Sequence, residues 1–182
     1  IGQEIVHATP RTVTSGDVAL YLALYGSRFA VQSSDAFAKA IGLPGAPVDD
    51  LLVFHIVFGK TVPDISLNAV ANLGYAEGRF LGLVYPGDTL HASSRVIGLK
   101  ETSSGQTGIV WVHSRGWKDD GTPVVDYVRW VMVRKRDPGS PAPEPIVPEL
   151  PAAVAADRLV IPSGLRATRV DSAETGSPYF LE

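Results

Sequence analysis

Apolar positions recur at two different spacings along this chain, and the change from one to the other divides it. Between Thr14 and Leu24 the residues Val18, Tyr21 and Leu22, continued by Tyr25, fall three or four apart, which predicts a short helix with one apolar face. Thr14 or Ser15 can cap it, Asp17 suits its first turn, and Gly26 suits its end. A second helical piece is expected over Ser34 to Ile41, stopped by Gly42 and followed by a loop through Pro44, Gly45 and Pro47. From Asp50 to about Thr61, Leu51, Leu52, Val53, Phe54, Ile56, Val57 and Phe58 cover every side of a helical wheel. That predicts a fully buried helix, capped by Asp49 and ended by Gly59 with Pro63 beyond, while the β-branched content keeps a strand open as the alternative.

Beyond this the period shortens to two. Strands are predicted at Ala69 to Leu83, Thr89 to Leu99, Gly108 to Trp117 and Pro123 to Val133. The breaks between them, Pro86-Gly87-Asp88, Ser103-Ser104-Gly105 and Asp119-Asp120-Gly121, are turn sequences, and their spacing suits an antiparallel meander. Ile109, Trp111 and His113 alternate with Val110, Val112 and Ser114, and Val125, Tyr127 and Arg129 with Val124, Asp126 and Val128. One face of the sheet is therefore expected to be buried and the other wetter. A curved antiparallel sheet around one apolar helix makes an α+β fold of the hotdog kind.

After Asp137 the character changes again. The stretch Pro138-Gly-Ser-Pro-Ala-Pro-Glu-Pro reads as an extended linker, and the connector to Ser177 shows little periodicity. The expected organisation is a domain over residues 1–137, a Pro-rich linker and connector over 138–178, and the opening of another folded unit over 179–182, Tyr179-Phe180-Leu181-Glu182. Ile1 at the start, with Met132 as the one methionine, reads as a cut from a longer polypeptide.

Composition narrows the function classes. A hydrophobic fraction of 45% with 19% charged residues belongs to a globular chain with a real core. The net charge of −3 and a single tight basic run, Arg134-Lys135-Arg136, argue against a nucleic-acid partner. The chain has no cysteine, so disulfides, thiolate catalysis and Cys-ligated metals are excluded. No apolar stretch is long enough to span a bilayer and no signal peptide opens the chain, so the cytoplasm is the expected location. His7, His91 and His113 have no partners at metal-ligand spacing, so no zinc site is expected.

Three stretches carry a resemblance to a known family, the MaoC-like dehydratases, which include (R)-specific enoyl-CoA hydratases. They are Arg11-Thr-Val-Thr-Ser-Gly-Asp-Val through Leu24-Tyr25-Gly26, the apolar central helix, and Gly78-Arg79-Phe80 with Val84-Tyr85-Pro86-Gly87-Asp88-Thr89-Leu90. Together they span about Gly2 to Arg136. Ile5-Val6-His7-Ala8-Thr9-Pro10-Arg11 and the run from Leu52 to Ser66 are similar to the first half of a branch that joins two hotdog repeats. The resemblance implies one half of a double hotdog and reversible syn addition of water to a branched dicarboxylic enoyl-CoA such as mesaconyl-CoA. It also implies an acyl-CoA substrate, no cofactor beyond the coenzyme A that substrate carries, a second repeat as partner, and a homo-oligomer.

Hydrating an enoyl thioester needs a base to activate water, an acid for the α-carbon and donors for the thioester oxygen. The family supplies acid and base from a Gly-Asp-x-Asn-Pro-x-His loop. Aligned on Gly26, its Asp falls on Ser27, its Asn on Phe29, its Pro on Ala30 and its His on Gln32. Neither Ser27 nor Gln32 titrates near neutral pH, so this repeat is expected to bind and to support, not to catalyse. The family's His-Gly step at the start of the central helix falls on Asp49-Asp50, two carboxylates that either cap the helix or serve as reassigned acid and base. His55 stands as a core histidine or a fallback catalytic one. Arg28, Arg79 and Tyr85 are the candidates for holding substrate or CoA, with Lys100 beside them, and solvated surface roles are the alternative. Two other readings stay open: a non-catalytic acyl-CoA-binding or assembly module, and a hotdog thioesterase.

Overall fold

The computed structural model describes residues 1–26 and 29–158. Residues Ile1–Ala152 form one unit, and the remainder, Ala153–Glu182, a separate small one whose described part holds a single 3₁₀ turn, Ala156–Arg158. Within the first unit the order is β1 (Glu4–Val6), β2 (Arg11–Thr12), α1 (Ser15–Tyr25), α2 (Ala30–Ser33), α3 (Asp35–Ala40), α4 (Asp50–Thr61), a π-helical turn (Val62–Ser66), β3 (Ala69–Phe80), β4 (Thr89–Glu101), β5 (Thr107–Lys118) and β6 (Pro123–Arg134).

Local chemistry explains the element ends. Thr14 caps α1 through its hydroxyl, which accepts from Asp17 N at 3.1 Å, while the Asp17 carboxylate accepts from Thr14 N at 2.9 Å. Gly26 closes the helix in the left-handed region, at φ 59°. Gly87 stands at φ 103° in the turn from Tyr85 to Asp88, where Asp88 N donates to Tyr85 O and the Asp88 carboxylate accepts from Tyr85 N. The end of α4 differs from expectation. Gly59 is inside the helix, and the backbone runs on through Pro63 as a π turn, Pro63 having no N–H to continue the i→i−4 ladder of α4.

The sheet is antiparallel throughout, in the order β1-β4-β5-β6-β3, with β2 also pairing β4. Ser114 pairs with Tyr127, Val112 with Arg129 and Gly116 with Val125, so these pairs share the face turned to α4. A Cβ added at Gly116 would lie 2.5 Å from Val57, which shows how closely the helix sits on β5. Leu52, Val53, Ile56 and Val57 of α4 bury against Val13, Tyr21, Leu90, Ala92, Val124, Val125 and Tyr127. Each such aliphatic side chain contributes about 1.5–3 kcal/mol by leaving water.

This is a sheet wrapped around one central helix, with a strand excluded for residues 50–61. The helix is only half enclosed, however. Leu51 is 54% exposed and His55 is also exposed. The Pro-rich segment runs extended and rests on the sheet: Ile146 bridges Leu99, and Pro148 lies over Gly98, where an added Cβ would be 2.5 Å away.

Candidate functional site

The start of α4 gathers three of the titratable residues singled out above, Asp49, Asp50 and His55. Asp49 is the N-cap, its carboxylate accepting from Leu51 N at 2.8 Å. Asp50 follows in the first turn, and burial together with the neighbouring Asp49 charge pushes its carboxyl above the usual carboxylate range. One turn on, His55 Nδ1 lies 3.4 Å from the Tyr21 hydroxyl of α1. Tyr25 completes an aromatic group there, its ring 4.5 Å from Tyr21 and 6.4 Å from His55. The Tyr21 phenol is raised by burial, with Asp49 adding to the effect. The helix start is thus doubly acidic, and its backbone N–H at Leu51 is already satisfied.

The other nominated residues do not converge on this point. Ser27 and Arg28 lie outside the described residues. Gln32 is in α2, half-buried, with its Oε1 unpaired among the described residues. Arg79 is exposed near the end of β3, opposite Asp126 of β6. Tyr85 is half-buried at the turn that follows, and Lys100 is exposed near the end of β4. His55, set inside an apolar run, lies on the helix's open side and not in the core.

Two polar constellations escaped the sequence reading. The first starts at His7, which is 4% exposed. Its Nδ1 is 2.6 Å from Asp64 Oδ2, its Nε2 is 2.8 Å from Ser94 Oγ, and Ser94 Oγ is 2.7 Å from Ser114 Oγ. A carboxylate only accepts, so Nδ1 donates to it. The order Asp, His, Ser is that of a nucleophilic triad, but Ser94 and Ser114 are sealed inside the fold, so no substrate carbonyl can reach either oxygen. The chain ties the β1–β2 loop to the π turn, β4 and β5. No signal at short spacing marks it, since Asp64 is 57 positions from His7.

The second is Arg129, fully buried beneath α4. Its Nη2 donates to Thr61 Oγ1 at 2.8 Å and to Ser66 Oγ at 3.3 Å, and the guanidinium carbon stands 4.5 Å from the Phe58 ring centre. No carboxylate among the described residues pairs with it, and burial lowers its pKa. The alternation grouped Arg129 with Val125 and Tyr127 on one face without deciding which face is buried, so its depth was not legible.

His91 pairs with Asp119 and His113 with Asp126 on the opposite side of the sheet. Among the described residues no group of three His, Asp or Glu could hold a metal ion, and no helix is long and apolar enough to cross a membrane.

Comparison with known proteins adds to this geometry. The family model for the MaoC like domain matches residues 1–115. Mesaconyl-CoA hydratase of Cereibacter sphaeroides is 63% identical over 179 residues, 98% of this chain and 52% of that protein. Beta-methylmalyl-CoA dehydratase of Chloroflexus aurantiacus is 61% identical over 182 residues, 100% of this chain and 52% of that protein. A crystal structure of a MaoC domain protein dehydratase from Chloroflexus aurantiacus superposes with a TM-score of 0.86 at 61% identity, over 98% of this chain and 51% of that one. A Mycobacterium tuberculosis protein with a double hotdog fold superposes at 0.70, with 24% identity, over 87% of this chain and 49% of that one, a likeness of fold. The chain spans about half the length of the curated relatives it matches.

Proposed function

Because this chain belongs to the MaoC-like domain family and has a hotdog fold, we propose that it is the binding and structural repeat of a double-hotdog hydratase whose acid and base reside in a second repeat. The reaction is reversible hydration of a branched dicarboxylic enoyl-CoA such as mesaconyl-CoA: hydroxide from water bonds to the β-carbon and a proton to the α-carbon of the double bond. By their names, one relative hydrates mesaconyl-CoA and the other dehydrates beta-methylmalyl-CoA, the two directions of a reversible hydration. Coenzyme A arrives with the substrate and no further cofactor enters the reaction. The proposed setting is the cytoplasm, in a homo-oligomer.

The observation that carries the reading is the closed start of α4. A thioester oxygen gaining enolate charge needs unpaired N–H donors, and here Asp49 takes the Leu51 N–H while Asp50 adds a second carboxylate. Gln32 brings no titratable group to replace the family's histidine. The open side of α4 and the edge strand β3, where Tyr75 is 48% and Phe80 47% exposed, offer apolar surface to a second repeat.

The test is hydration of mesaconyl-CoA, followed as loss of the conjugated enoyl thioester absorbance, for residues 1–182 and for a longer polypeptide carrying a second repeat. Activity confined to the longer polypeptide is the expected result; turnover by residues 1–182 alone would return Asp49, Asp50 and His55 as catalytic candidates. A second reading, a thioesterase using Asp49 or Asp50 at the start of α4, would show as release of free coenzyme A by residues 1–182.

A further inference from the structure

The one tight basic run of the sequence, Arg134-Lys135-Arg136, has no part in the reading above. In the fold it ends β6, and with Asn68 and Ala69 at the start of β3 it lines a groove of about 590 Å³. That volume is within the usual range for small-ligand sites.

Its charges are unevenly committed. Lys135 is engaged: its Nζ pairs with Glu101 and donates to the carbonyls of Pro138 and Ser140 at 3.1 and 2.7 Å. Arg134 and Arg136 are exposed and enter no ion pair among the described residues. The adjacent carboxylate, Asp137, is turned into its own loop, accepting from Gly139 N at 2.9 Å and Ser140 Oγ at 3.1 Å. Two arginines outside any ion pair among the described residues thus line a concave surface with an amide and no acid.

We propose that this groove takes the phosphate groups at the nucleotide end of an acyl-CoA, held by Arg134 and Arg136. Planar guanidinium forks match phosphate oxygens two at a time, which a lone lysine does not. The groove also differs in place from the residues nominated by sequence. Ala69 pairs with Val133 at one end of the β3–β6 ladder, whereas Arg79 and Phe80 pair with Asp126 and Val125 at the other. Along β6 the partners Val133 and Val125 are eight steps apart, roughly 26 Å at the usual strand rise, the extra residues of β3 being taken up in bulges. One phosphate cluster cannot engage both ends, and the groove is at the end with two uncommitted cations. The choice of acyl-CoA as ligand rests on the hydratase reading above.

The test is titration calorimetry on residues 1–182 with coenzyme A, dephospho-coenzyme A, 3′,5′-ADP, 5′-ADP and pantetheine. Affinity is expected to fall as phosphates are removed, with coenzyme A and 3′,5′-ADP binding better than dephospho-coenzyme A and 5′-ADP. The double variant Arg134→Gln/Arg136→Gln should weaken coenzyme A and 3′,5′-ADP at least about tenfold, as expected for losing two charge-assisted contacts, and leave pantetheine unchanged. Its melting temperature should stay within about 2 °C, since both side chains are exposed, and Arg79→Gln should bind as the parent does. No measurable binding of coenzyme A, equal binding of every phosphate compound, or unchanged affinity in the double variant would each overturn the proposal. Should the variant lose coenzyme A while the longer polypeptide hydrates no enoyl-CoA, the groove stands and the hydratase reading falls.

Discussion

His7 Nδ1 lies 2.6 Å from Asp64 Oδ2, joining a residue of the β1–β2 loop to one of the π turn after α4. Through His7 Nε2 the contact continues to Ser94 and Ser114, so four segments distant in sequence share one polar chain inside the core.

Removing the imidazole leaves Ser94 and Ser114 buried with one partner fewer and opens a cavity. His7→Ala should cost about 2–4 kcal/mol of unfolding free energy, read from urea denaturation. Asp64→Asn, whose side chain is 42% exposed and can still accept from Nδ1, should cost less than half of that. Equal losses in both would mean that the charge on Asp64, and not the bonding of the chain, supplies the stability.

Arg129 is a buried cation facing neutral partners. Arg129→Met keeps the packing against Phe58 and removes the desolvation cost, so thermal melting should show a variant as stable as the parent or more so. Arg129→Ala should lose about 3 kcal/mol or more by opening a cavity under α4. A Met variant as damaged as the Ala variant would show that the bonds to Thr61 and Ser66 outweigh desolvation.

Asp17 and Asp50 should bend the pH dependence of stability in opposite directions. Bonds from the Thr14 backbone and hydroxyl, then the Arg11 charge, hold the Asp17 carboxyl below its ordinary value. The unfolded chain then takes up that proton first as pH falls, so the contribution of Asp17 is complete above about pH 4 and is lost as pH drops through the lower folded value. Asp17→Asn should flatten the acid limb of a melting-temperature profile. Asp50 is raised by burial and by Asp49, so its contribution is present below the ordinary carboxylate value and lost as pH rises through the folded one. Asp50→Asn should therefore gain on the parent at pH 7 and lose that gain near pH 3.

Gly116 admits no side chain, since a Cβ there meets Val57 at 2.5 Å and Val125 at 2.9 Å. Gly116→Ala should cost about 1–3 kcal/mol by forcing α4 away from β5. Gly78→Ala on β3, with nothing within 4 Å of an added Cβ, should change unfolding free energy by less than about 0.5 kcal/mol.

The elements were legible because their signals are local. Alternation over Gly108 to Trp117 marked β5, Pro86-Gly87-Asp88 marked a turn that needs a left-handed residue, and Thr14 with Asp17 marked a helix start. Each is settled by residues three or four positions apart. The candidate site was legible in one respect, that Asp49 with Asp50 makes the helix start acidic.

By itself, then, the sequence determined an antiparallel sheet around one apolar helix. Tertiary structure decided which side of α4 is open, that Arg129 is sealed and His55 is not, that Asp64 meets His7, and that Arg134 and Arg136 share a groove with Asn68. The physical reason is range. Backbone propensity and capping act within a turn, whereas burial, pairing and pKa are properties of whatever the fold brings opposite a side chain, from tens of positions away.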